Sequence, residues 1–309
     1  MHSKIIKHFF VITLLLMVFP STTVNAQIQN STTQIAQNFT PTPVDQNAVE
    51  VRVEEEKKAE VSRFAIIPYR PTYILPAYYD FKPDRNVYKQ ETPNDEQLKN
   101  VELKFQFSLK IPLWTNIFNK PVSLYAAYTQ LSFWQAYTDS PFFRESNYEP
   151  EFFLDYKVDK NLKYGWELTF IDLGVEHQSN GRGGTLERSW NRMYARAILS
   201  KGNFLLSLVP WYVFNDPSKR KHNPDIVHYL GHGKLIFAYG ICNNTFSLET
   251  RNNIESGFSY GSAQLAWSFP LTKNFKGYIQ AFTGYGQSLI EYNHYSNSVG
   301  IGFALNDWL

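Results

Sequence analysis

The sequence predicts an all-β protein, a transmembrane antiparallel β-barrel of about twelve strands. Three observations carry that reading. From residue 64 onward, short runs of Tyr, Phe, Leu, Val and Ile alternate with polar residues, the period of two that marks a strand with two unlike faces. Several runs reach roughly a dozen residues, beyond the usual five or six of soluble strands; about nine to eleven suffice to cross a bilayer at a tilt. The connections also alternate. Short ones (200–203, 242–244, 272–274) trade places with a set that includes long ones (81–101, 138–148, 180–188, 215–224), as in barrels with tight turns on one side of a membrane and larger loops on the other.

Composition narrows the function classes. Among 309 residues, aromatics make up 17% and charged residues 19%, the latter below the roughly 25% of ordinary soluble domains. Such an aromatic load argues against disorder. Basic residues outnumber acidic ones only 30 to 28, so charge gives no reason to expect a nucleic-acid partner. A single cysteine, Cys242, excludes an internal disulfide framework and a cysteine-rich zinc site; it reads as a turn residue.

Taken in order, residues 1–26 read as a cleaved secretory signal. Lys4 and Lys7 precede an apolar stretch from Phe9 to Phe19, and Val24-Asn25-Ala26 offers a cleavage site before Gln27. The apolar run is too short to span about 30 Å of hydrocarbon. Residues 27–63 are polar and then strongly charged, and read as a mobile N-terminal arm with at most a weakly signalled helix over 51–62. Residues 64–309 form the barrel domain. Its segments lie near 64–80, 102–115, 122–137, 149–160, 165–180, 189–202, 203–214, 225–242, 244–255, 256–272, 275–293 and 294–309. Beyond residue 26 no window approaches the eighteen or so apolar residues of a membrane helix. Trp114, Trp134, Trp190, Trp211 and Trp308 fall near segment ends, where interfacial aromatic girdles sit. His228 and His232 share a parity within one segment, which points both into the lumen. A soluble secreted β-sandwich would also alternate, but it would leave these apolar faces without a lipid to meet.

Parity then locates the chemistry. In the stretch 171–179, Ile171, Leu173 and Val175 form the apolar face, while Asp172, Glu176 and Gln178 form the polar one. In a membrane barrel the apolar face meets lipid and the polar face meets the lumen. His177 and Ser179 therefore point toward lipid. On the next segment Met193, Ala195, Ala197 and Leu199 are apolar, Arg192 and Arg196 lie opposite, and Asn191 shares the apolar parity. Three polar side chains thus face outward at one end of adjacent strands, where polarity is costly. They supply a nucleophile (Ser179), a general base (His177) and an amide to orient the imidazole (Asn191).

The stretches His177-Gln178-Ser179-Asn180-Gly181-Arg182 and Arg188-Ser189-Trp190-Asn191-Arg192 resemble the active-site signature of the outer membrane phospholipase A family. Tyr128-Thr129-Gln130, Asn147-Tyr148-Glu149-Pro150, Pro210-Trp211-Tyr212-Val213, Asn223-Pro224-Asp225 and Leu305-Asn306-Asp307 match in the same order, over roughly 64–309. The resemblance implies a calcium-dependent hydrolase of phospholipid acyl esters, with A1, A2 and lysophospholipase activity, working as a homodimer in the bacterial outer membrane. It implies calcium ligands at the Arg182 carbonyl, Glu187 and, from the second barrel, Asp139, with neighbouring Ser140 an alternative. It places Asp216 and His222 in a loop whose family counterpart can contact calcium. It also makes Gln130 a dimer contact. The family commonly has serines where Asp139 and Glu187 stand, and carboxylates bind calcium more strongly than hydroxyls. Two other readings compete: a non-enzymatic porin or solute channel, to which outward His177, Ser179 and Asn191 would be of no use, and a soluble lipase, whose usual Gly-x-Ser-x-Gly elbow is absent.

Overall fold

Strands with one apolar and one polar face satisfy both by closing into a cylinder whose outside meets lipid. In the computed structural model, which describes residues 48–60, 62, 65–89, 91–272 and 274–309, twelve strands do so. They are β1 (Thr72–Asp80), β2 (Val101–Trp114), β3 (Val122–Gln135), β4 (Phe142–Asn161), β5 (Glu167–Ser179) and β6 (Ser189–Lys201). There follow β7 (Phe204–Val213), β8 (Gly233–Ile241), β9 (Asn244–Arg251), β10 (Ser262–Pro270), β11 (Lys276–Tyr285) and β12 (Tyr295–Asn306). Each pairs antiparallel with its chain neighbours, and β12 closes the ring on β1, with Ile301 opposite Ala77. Ile67–Pro68 continue the pairing of β1 along β2. The segment expected to be a signal, 1–26, and the start of the arm, 27–47, lie outside the described residues.

The faces sort as the alternation requires. In β5, Leu173 and Val175 are 59% and 49% exposed while Asp172 is 1% exposed. In β12, Val299, Ile301, Phe303 and Leu305 face out, and Ser298 and Ala304 are buried. Ion pairs fill the lumen. Arg144 meets Glu102 at 2.8 Å and Glu291 at 2.7 Å; Arg192 meets Glu176 at 2.7 Å; Arg70 reaches Glu151 at 2.8 Å. Inward Gly174 leaves room for Tyr194, since a Cβ there would lie 2.6 Å from that ring, and Tyr194 donates to Glu151 at 2.6 Å.

Four differences separate the structure from the sequence reading. The expected loop 138–148 is largely strand: β4 begins at Phe142, and the charges of its first residues, Arg144 and Glu145, are buried in a polar interior that turns an apparent loop composition into strand composition. Residues 225–232 are not strand but the short helix Ile226–Leu230 and a turn, and 252–261 and 286–294 lie outside the strands. Trp190 and Trp211 are not girdle residues: both are buried in the lumen, edge to face at 6.1 Å, with the Arg192 guanidinium over Trp190. Trp114, beside exposed Phe118, does sit at an outer rim.

The fourth concerns the arm. Helix α1 (Ala48–Glu60) carries acid in its first turn and lysines in its last, the order a helix dipole favours. It docks at the barrel end that bears the short turns. Val49 is buried beside Leu205 and Ala238. Arg52 donates to the carbonyls of Asp307 and Tyr69 at 2.8 Å each, and Glu56 pairs with Lys110 at 2.8 Å. Apart from Val49 and Val53, which pack on Leu205 and Ala238, polar contacts hold this helix, so its apolar stripe is too narrow to read.

Candidate active site

The β5–β6 hairpin sets the site. Its register places His177 directly opposite Asn191 and Ser179 opposite Ser189, so cross-strand Cβ atoms stand about 4.5–5.5 Å apart. His177 Nδ1 and Asn191 Oδ1 are 2.7 Å apart. A carbonyl oxygen carries no hydrogen, so Nδ1 donates, and in the neutral imidazole Nε2 then keeps the lone pair that a base requires. His177 is exposed on the outward face; Ser179, two residues on and on that same face, is half-buried. Backbones at that spacing are about 6.5–7 Å apart. No hydrogen bond joins the Ser179 hydroxyl to His177 among the described residues; such contacts are often loose before substrate binds.

Two loops frame the pair. In the first, 180–188, buried Asn180 acts as a latch: its amide donates to the Leu186 carbonyl at 2.8 Å and its oxygen accepts from the Arg188 N–H at 3.0 Å. Gly181 has φ +64°, and a Cβ there would lie 2.9 Å from the Tyr148 ring. Arg182 ties the loop to β4 by donating to the Phe143 carbonyl at 3.2 Å and to that of Arg144.

The second loop, 214–232, carries α2 (Pro217–His222) and α3 (Ile226–Leu230). Asn223, fully buried, bonds both the N–H and the carbonyl of Ser189 (3.2 and 3.0 Å) and so pins the loop to β6. Asp216 caps α2 by accepting from the Lys219 N–H at 2.9 Å, and its other oxygen accepts from the Asn191 amide nitrogen at 3.1 Å. Partial burial pushes the Asp216 carboxyl upward, but the Lys219 N–H and the Asn191 amide outweigh it and hold it below its ordinary range.

The residues expected to hold calcium are partly gathered. The Arg182 carbonyl and Glu187 share the 180–188 loop, and Glu187 is already engaged: it accepts from Ser218 at 2.6 Å and lies 3.3 Å from His222 Nε2. Asp139 is exposed in the loop between β3 and β4, next to Ser140, whose hydroxyl accepts from Asn94 at 2.9 Å. No group of three or more His, Cys, Asp or Glu side chains that could hold a metal occurs among the described residues. What one chain offers, a carbonyl and a carboxylate, is an all-oxygen donor set suited to a hard cation but incomplete by itself.

Below the pair, Leu173, Val175, Met193, Ala195 and Tyr212 line a shallow apolar groove on the outer wall. Gln130 also faces outward, accepting from Tyr128 and donating to Ser132 at 3.0 Å each. It stands opposite Tyr148, which in turn stands opposite Ser179. Gln130 is therefore two strands from Ser179 in one cross-barrel row, about 10 Å at the ladder spacing. The two histidines read as lumenal are elsewhere: His228 lies in α3, and His232 meets Glu255 outside the strands. Sequence reasoning passed over Asn180 as an organiser, although Asn180-Gly181 is a strong turn signal, and Asn223, for which no pattern speaks.

Fold and geometry define a class: an integral membrane β-barrel that carries a hydrogen-bonded histidine–asparagine pair and a serine on its lipid-facing wall. The phospholipase A1 family model matches residues 49–305, so the match takes in α1. The chain is 40% identical over 249 residues to phospholipase A1 of Klebsiella pneumoniae, covering 79% of this chain and 83% of that protein. Against phospholipase A1 of Escherichia coli K12 it is 39% identical over 249 residues, covering 79% and 82%. Among solved structures it resembles outer membrane phospholipase A from Escherichia coli (TM-score 0.73, 35% identity, 81% of this chain and 95% of that one). It also resembles the Salmonella typhi outer membrane phospholipase dimer with bound calcium (TM-score 0.74, 36% identity, 82% and 97%). The chain belongs to the phospholipase A1 family and is a lipid ester hydrolase of the bacterial outer membrane.

Proposed function

We propose that the chain hydrolyses phospholipid acyl esters at both the A1 and A2 positions, and lysophospholipids, as a calcium-dependent homodimer with Ser179 as nucleophile, His177 as general base and Asn191 as its orienting partner. The observation that carries this reading is the His177–Asn191 hydrogen bond on the lipid-facing wall. It leaves Nε2 free as an acceptor on the face that Ser179 shares.

His177 takes the hydroxyl proton as Ser179 attacks the ester carbonyl, and returns it to the leaving alcohol; water then releases the fatty acid by the same proton route. A backbone N–H beside the nucleophile stabilises the developing oxyanion. The groove along Val175, Leu173 and Met193 receives the acyl chain sideways, so no part of it crosses water. Calcium, when bound, adds positive charge that stabilises the oxyanion. The residues to hold it are the Arg182 carbonyl, Glu187 and, from the second barrel, Asp139, an assignment the incomplete donor set of one chain favours. A second barrel seated over Gln130 would cover the groove edge, and the dimeric, calcium-bound relative supports both points. Residues 1–26 are the export signal, 27–63 the arm and 64–309 the catalytic barrel, with the arm's end at α1 belonging to the barrel in structure.

Mass spectrometry of lipids incubated with the purified folded protein tests this. Wild type with calcium releases fatty acid; Ser179→Ala, folded as judged by heat-modifiable mobility, loses at least about 10³-fold. Turnover by folded Ser179→Ala, or full activity in excess chelator, contradicts it.

A further inference from the structure

An asparagine beside a catalytic histidine poses a problem that a carboxylate does not. Both oxygens of a carboxylate accept, so either orientation serves. An amide has an accepting end and a donating end, and a half-turn about its last torsion exchanges them. Were Asn191 to present its nitrogen, His177 Nδ1 would have to accept and the proton would sit on Nε2. That tautomer cannot take a proton from Ser179. Something must hold the amide the right way round.

We propose that Asp216 is that positioning residue: its carboxylate, which can only accept, fixes the Asn191 nitrogen toward itself and so turns the amide oxygen onto His177. The inference rests on the Ser179–His177–Asn191 reading and extends it by one member. Three observations carry it. The Asn191 Nδ2 to Asp216 Oδ2 distance is 3.1 Å, and the His177 contact is made by the opposite end of the amide. Asp216 is itself immobilised, because its other oxygen accepts the Lys219 N–H at 2.9 Å. The segment carrying it is anchored to the strand of Asn191 by the buried Asn223 bridge to Ser189 and by the Ser189–Ser218 hydroxyl contact at 2.9 Å. The Asp216 charge also lies at the far end of a continuous hydrogen-bond chain from the imidazole, which partly supplies the negative potential that a neutral amide lacks.

Asp216 also caps α2, so its variants must separate the two roles. Asn and Ser cap helices nearly as well as Asp. Asn in its place can itself flip, and Ser is too short to reach Asn191. Kinetics are measured at saturating calcium on heat-modifiable, folded Asp216→Asn, Asp216→Ser, Asn191→Ala and the double variant Asn191→Ala/Asp216→Asn. Both Asp216 variants are expected to lose about tenfold in kcat with KM and the calcium midpoint unchanged, while Asp216→Asn costs less than about twofold once Asn191 is alanine. Equal losses in both backgrounds, wild-type kcat in Asp216→Asn, or a raised calcium requirement as the main effect would overturn the proposal. If Asn191→Ala lowers kcat and Ser179→Ala abolishes turnover while Asp216→Asn keeps wild-type kcat, only the role of Asp216 falls. If folded Ser179→Ala still turns over, the underlying reading falls instead.

Discussion

At the scale of single residues, Asn180, Asn223 and Asp216 tie the two loops into place beside His177 and Ser179. Asn180 closes the 180–188 loop on itself, holding the Arg182 carbonyl and Glu187 near the end of β5. Asn180→Ala removes a donor and an acceptor from a buried site, and is expected to cost about 1–3 kcal/mol locally and to lower kcat/KM roughly tenfold while raising the calcium midpoint. Calcium titrations of activity on the folded variant check it; an unchanged midpoint would show that the latch does not order the loop. Asp216 has a pH consequence. Because its folded carboxyl is held below the unfolded value of about 3.9, the contacts it makes stabilise the loop above that value and are lost as pH falls through the folded one. Protection of the Lys219 amide against hydrogen exchange should therefore persist from neutrality to about pH 4.

At the scale of elements, much was legible in the sequence because the lipid face writes a regular signature. The parity of β5 and β6 placed His177, Ser179 and Asn191 outward, and the exposures of Val175 and Met193 beside them agree. What was not legible came from the lumen. The first part of β4, 142–148, looked like a loop because Arg144, Glu145 and Asn147 crowd it, and only a closed barrel supplies partners that bury such groups. Trp190 and Trp211 looked like girdle because they lie near strand ends, although Trp190 shares the lumenal parity of Arg192, whose guanidinium packs over both rings. The same asymmetry predicts opposite outcomes for charge on the two faces. Val175→Lys on the lipid side should destabilise the barrel by about 2–4 kcal/mol at midplane depth and less toward the rim, as read from unfolding in urea with vesicles present.

At the scale of the whole molecule, the barrel divides its labour between its two ends. The loop end carries His177, Ser179 and Asn191; the turn end is occupied by α1, whose Arg52 and Glu56 reach Asp307, Tyr69 and Lys110. Between them the Arg144–Glu102–Glu291 cluster ties β4 to β2 and to the loop before β12. Arg144→Ala would leave two buried carboxylates unpaired and is expected to cost about 3–5 kcal/mol, with activity falling only as the folded fraction falls. The central claim is that Ser179 is a nucleophile approached from the lipid. Its most direct test is to incubate the folded protein in vesicles with a long-chain sulfonyl fluoride and calcium, then map the modified peptide by mass spectrometry. Stoichiometric label on Ser179, abolished by His177→Ala, is the predicted result; label elsewhere, or on Ser179 without need of His177, would contradict it.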